Sequence, residues 1–179
     1  MASREQLQLL KRTLYKDERL LRLKEAFNNL PEYRMDFKDL HDEIDTMMTT
    51  RPLRSLNRKD NFVDNLVEAM MVDQQYRTRV TEILMSCVKT EKHLSRSVDH
   101  LSDYLKTEYH SNIYSLYKTK ADRESFVDYV LRKFIVYLDK IDELKQRCAL
   151  LTGDIDKAGY MFKGLLESVQ ISARKTVEY

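Results

Sequence analysis

The stretch VTEILMSCVKTEKHLSRSVDHLSDYL, residues 80–105, decides the fold. Val80, Ile83, Cys87, Thr90, Leu94, Ser97, Leu101 and Tyr104 recur at alternating steps of three and four. That spacing is a heptad seam, one stripe along a helix that needs another helix to cover it. Residues 53–152 contain neither glycine nor proline. Nothing there breaks a helical ladder or supplies the positive φ of a hairpin turn. Val127, Val130, Phe134, Tyr137, Ile141, Leu144, Cys148 and Leu151 repeat the spacing. Two long seams joined by a brief connector predict an antiparallel pair. No alternating strand pattern occurs in the sequence. The expected fold class is all-α, with long amphipathic helices in an antiparallel, coiled-coil-like bundle.

The remaining elements follow outward from this pair. His110-Ser111-Asn112 breaks the first seam, and a short apolar turn follows through Ile113, Tyr114, Leu116 and Tyr117. Thr119 and Asp122 have the spacing of a helix cap. Thr152-Gly153 reads as a helix stop, and Asp154 as the cap of a last helix with Ile155, Ala158, Phe162, Leu165 and Val169, packed back along the pair. Upstream, Asp60 or Asn61 caps a helix carrying Phe62, Val63, Leu66, Val67 and Met70, and Asp73 caps a restart. Ser3 and Gln6 fit a capping box opening the first helix. Its stripe Leu7, Leu10 and Leu14 gives way to a shifted one, Leu20, Leu23, Phe27 and Leu30, before Pro31 ends it. Another helix carries Phe37, Leu40, Ile44 and Met47. The expected organisation is a helical hairpin or arm over 1–50, a basic linker over 51–59, a helical core over 60–172 and a tail over 173–179.

Composition narrows the function. Charged residues make up 34 % and hydrophobic ones 42 % of the chain, as exposed amphipathic helices require. The net charge of +2 neither demands nor excludes nucleic acid, so local clusters must decide. All three glycines lie in residues 153–164, which leaves no phosphate-cradling loop, nucleophile elbow or Rossmann turn. His93 and His100 are two turns apart, too far to share a metal as i,i+4 neighbours would. His41-Asp42 lacks the partner histidines of a metal-hydrolase site. Cys87 and Cys148 fall on the seams and read as buried free thiols in a reducing compartment. No apolar run is long enough to span a bilayer, and no secretory signal opens the sequence. The expectation is a non-enzymatic cytoplasmic protein without metal or cofactor.

Three clusters suit a single-strand binder. Tyr104, Tyr109, Tyr114 and Tyr117 surround the helix break, interleaved with Lys106, His110, Lys118, Lys120 and Arg123. Aromatic rings stack on bases of any sequence while cations follow the phosphates. Lys89, Lys92 and Arg96 share one helical face, although Glu91 and Asp99 neighbour it. The linker carries Arg51, Arg54, Arg58 and Lys59 with no acidic residue among them. Each cluster also fits a plainer reading, as rings at a core edge, a solvated face or a mobile connector.

The order of these features resembles the UvsY-type recombination mediators of T-even-like bacteriophages, over about residues 60–171. The resemblance rests on the charged helix through Tyr76-Arg77-Thr78-Arg79 and the segment Leu101-Ser102-Asp103-Tyr104-Leu105 after it. It rests also on a polar break, a second long helix bearing Tyr137 and Asp139, and the closing segment Gly159-Tyr160-Met161-Phe162-Lys163. The family places a basic residue just ahead of its helix-end tyrosines, where this chain has His100, with Arg96 a turn earlier. What the resemblance implies is a homo-oligomer that binds single-stranded DNA and helps a recombinase displace the single-strand-binding protein, without catalysis, in the host cytoplasm if the chain is viral. A different class is also open: a structural or adaptor helical protein, a virion assembly factor or host-enzyme inhibitor, with no nucleic-acid role. Val80, Ile83, Cys87, Leu94, Leu101, Val130, Phe134, Ile141, Leu144 and Cys148 are expected to form the seam of the bundle, within one chain or between copies.

Overall fold

The computed structural model describes residues 4–52 and 62–177. The helices are α1 (Arg4–Tyr15), α2 (Glu18–Asn29), α3 (Phe37–Thr50), α4 (Phe62–Glu108), α5 (His110–Leu116) and α6 (Lys120–Val177), with a 3-10 turn at Pro31–Tyr33. Among the described residues there is no strand, so the all-α class holds. The ten residues expected to form the bundle seam, Val80, Ile83, Cys87, Leu94, Leu101, Val130, Phe134, Ile141, Leu144 and Cys148, are all buried within this chain, and Ser97 and Tyr137 on the same stripes are half-buried. Thr90, a buried polar member of the seam, donates its hydroxyl to the Glu32 carbonyl at 3.1 Å, which makes its burial tolerable.

The chain forms two compact units, each built from separated stretches of sequence: 1–36 with 88–142, and 37–87 with 143–179. Both long helices contribute to both units, and the N-terminal elements are shared between them.

In the first unit Phe27 organises the packing. Its ring stacks on Tyr33 at 5.5 Å and meets Phe134 and Tyr137 edge-on at 5.2 and 5.0 Å. The shift between the two N-terminal stripes marks a real break. α1 closes with Asp17 N–H donating to the Leu14 carbonyl at 3.0 Å, and Asp17 then caps α2. The Pro31 stop lies where expected.

The second unit corrects three expectations. Thr152-Gly153 does not stop a helix: α6 runs unbroken to Val177, and no final helix folds back. The burial period explains this, because Cys148, Leu151, Ile155 and Phe162 keep the heptad spacing across the glycine and are all buried. Burying Ile155 is worth about 2 kcal/mol, more than the roughly 1 kcal/mol that a helical glycine costs. Asp73 does not cap a restart. It lies on the buried face of an unbroken α4. Arg51 is equally buried: its Nε and Nη2 donate to the two Asp73 carboxylate oxygens at 2.9 and 2.6 Å. The Ser3 cap, the Asp60 or Asn61 cap and most of the basic linker lie outside the described residues.

Candidate nucleic-acid interface

Four of the basic candidates, Lys106, His110, Lys120 and Arg123, converge where α4, α5 and α6 succeed one another. α4 ends at Glu108 and α5 begins at His110, so the chain bends within two residues and brings Lys106 and His110 near the start of α6. Thr119 fixes that start as its spacing predicts, its hydroxyl oxygen accepting from the Asp122 N–H at 3.1 Å. Arg123, one turn into α6, reaches back. Its Nη1 donates to the carbonyls of Tyr117 and Lys118 at 3.2 and 3.0 Å, partnering groups that the end of α5 leaves open. The same guanidinium lies over the Tyr114 ring, 4.1 Å from its centroid, and the His110 ring approaches Tyr114 at 5.0 Å.

A pocket of about 160 Å³ opens at this corner. Lys106, His110, Lys120 and Arg123 line it over an apolar floor of Ile113 and Val127. Glu124 is its only carboxylate and lies 3.8 Å from the Lys120 ammonium. Three permanent cations and a histidine against one acid make the corner attractive to anions. Lys118 is exposed nearby. Tyr114, 52 % exposed, is the most exposed tyrosine of the cluster and lies beside these cations.

The other three tyrosines serve the fold. Asp17, only 8 % exposed, is the acceptor that holds two of them. Its Oδ1 accepts from the backbone N–H groups of Arg19 and Leu20 at 2.9 and 3.1 Å. Its Oδ2 accepts from the hydroxyls of Tyr104 and Tyr109 at 3.0 and 2.9 Å. Burial by itself would raise the Asp17 carboxyl, but four hydrogen bonds to the carboxylate outweigh it and hold the pKa below the usual 3.8. The same contact acts oppositely on the phenols: burial, then the adjacent carboxylate, pushes Tyr109 up to about 12 and raises Tyr104 also. Tyr117 stacks on Phe126 at 5.1 Å. The sequence carried one faint sign of this hub, the shift of stripe at Asp17, and none of its partners.

The remaining candidates are dispersed. Lys89, Lys92, Arg96 and His100 are exposed along α4 in the first unit, with Asp99 and Asp103 exposed among them. Arg51 belongs to the second unit, and at 7 % side-chain exposure beside Asp73 it offers no phosphate contact. Arg54, Arg58 and Lys59 lie outside the described residues. Among the described residues no cluster of three or more His, Cys, Asp or Glu is placed to hold a metal ion. None of the described helices is long and apolar enough to cross a membrane. Arg19 was not foreseen: its guanidinium covers the Tyr104 ring at 4.0 Å and adds charge beside the hub. No protein-family model, curated protein or solved structure matches the chain.

Proposed function

We propose that this protein binds single-stranded DNA without catalysing a reaction, and that it acts as a recombination mediator presenting the strand for recombinase loading. The observation that supports this reading is the corner itself, where Lys106, His110, Lys120 and Arg123 surround one pocket beside the exposed Tyr114. Phosphates would lie against the cations and a base on Tyr114, a combination that tolerates any sequence. The exposed face of Lys89, Lys92 and Arg96 extends the positive track along α4, diluted by Asp99 and Asp103. A single corner gives modest affinity, so the reading includes a homo-oligomer in which several corners hold one strand.

The test is binding to fluorescent oligo-dT, against the matching duplex, across a salt series. Single strands should be preferred. Lys106→Ala with Lys120→Ala should lower the salt slope by roughly 1.4, about 0.7 for each lost phosphate contact. Tyr114→Ala should cost on the order of tenfold in affinity without changing that slope. Absence of binding at low salt overturns the proposal. It would favour the second reading, a helical adaptor or assembly protein, which the exposed apolar side chains of α6 also support.

A further inference from the structure

The outward side of α6 carries a second heptad pattern. Leu150, Gly153, Lys157, Tyr160, Gly164, Glu167 and Ile171 follow one another at alternating steps of three and four. They lie opposite the buried stripe of Leu151, Ile155 and Phe162. The large side chains of this second stripe are unusually bare: Leu150 is 65 %, Tyr160 81 % and Ile171 57 % exposed. Among the described residues its two glycines have no packing reason, because a Cβ added at Gly153 or Gly164 meets nothing within 4 Å. Each such glycine costs a helix roughly 1 kcal/mol relative to alanine. A heptad stripe with exposed apolar groups and close-approach glycines needs a helical partner.

The pattern is complementary to its own reversal. Set a second copy of this helix antiparallel about a two-fold axis level with Phe162. Lys157 of each copy then faces Glu167 of the other, Tyr160 faces Gly164, and Gly153 faces Ile171. Tyr160 and Ile171 each meet a glycine, and Lys157 and Glu167 each meet the opposite charge. Lys157 and Glu167 are exposed and have no ion-pair partner among the described residues. A parallel pairing in register would instead set Lys157 on Lys157, Glu167 on Glu167 and Tyr160 on Tyr160. We infer that the chain self-associates as a two-fold dimer through the outward face of α6 between Leu150 and Ile171, the two helices running antiparallel.

The pairing surface is roughly 32 Å long at 1.5 Å per residue, short for a stable interface, so the dimer dissociates on dilution. The inference uses only second-unit residues and stands apart from the nucleic-acid reading. It would also place two basic corners on one particle.

Sedimentation of the full chain over a micromolar concentration series tests it, with circular dichroism confirming helicity. A reversible monomer–dimer equilibrium is expected. Lys157→Glu and Glu167→Lys should each weaken it by about tenfold, since the symmetry turns two attractive pairs into two repulsive ones. An equimolar mixture of the two variants should recover association, because each reversed charge then meets its opposite. A chain monomeric throughout, or association indifferent to either reversal, overturns the inference. Weakening without recovery in the mixture overturns the antiparallel pairing.

Discussion

Replacing Asp17 by alanine removes a helix cap and a tyrosine anchor together. The Oδ1 bonds to the Arg19 and Leu20 N–H groups open α2, and loss of such a cap costs about 1 kcal/mol. The Oδ2 bonds from Tyr104 and Tyr109 tie α2 to the end of α4, and each contributes about 1 kcal/mol net, since the half-buried hydroxyls partly recover water. The expected loss is about 3 kcal/mol. For a chain of this size that lowers Tm by roughly 9 °C. Asp17→Asn separates the roles: its carbonyl keeps the cap, but its amide nitrogen cannot accept from a phenol, so it should lose about 2 kcal/mol, two thirds as much. Urea denaturation followed by far-ultraviolet circular dichroism measures both. Combining Asp17→Ala with Tyr109→Phe should cost less than the sum of the two, by about 1 kcal/mol. The advantage of the wild type over Asp17→Ala should also depend on pH. The folded carboxyl titrates below its usual 3.8, so its contribution is complete above that value and is lost as pH falls through the lower folded value. A stability change within 0.5 kcal/mol for Asp17→Ala would refute the hub, as would a simply additive double variant.

Two further outcomes follow from the burial of charge and phenol. Arg51→Ala should destabilise by about 3–5 kcal/mol, because it strands the Asp73 carboxylate in the core, whereas Arg51→Met with Asp73→Leu should come close to wild type. A loss below 1 kcal/mol in the single variant, by the same denaturation, would show that Asp73 has solvent after all. The Tyr109 phenol is raised from 10 to about 12, so the stability it contributes is complete below pH 10 and falls away as pH climbs towards 12. Ultraviolet difference titration should resolve a late-ionising tyrosine that disappears in Tyr109→Phe; an unchanged titration would count against its contact with Asp17.

The sequence by itself determined that this protein is helical and which side of each long helix is covered. Heptad spacing is a local, periodic property, and the apolar seam residues such as Val80, Leu94, Phe134 and Cys148 are buried where the period places them. Local chemistry also fixed the Thr119 cap and the Pro31 stop, since both act within a few residues. Gly153 misled for a physical reason: a glycine ends a helix only where the apolar period also ends, and here Ile155 and Phe162 carry it on. Tertiary structure alone decided the fates of the polar side chains. Arg51 read as a linker cation until Asp73, 22 residues away, took its guanidinium into the core. Tyr104 and Tyr109 read as stacking rings until Asp17, 87 and 92 residues distant, accepted their hydroxyls. A periodic stripe reports that a side chain is covered. Which group satisfies a buried charge or hydroxyl depends on what another part of the chain brings within about 3 Å, and no local pattern encodes that.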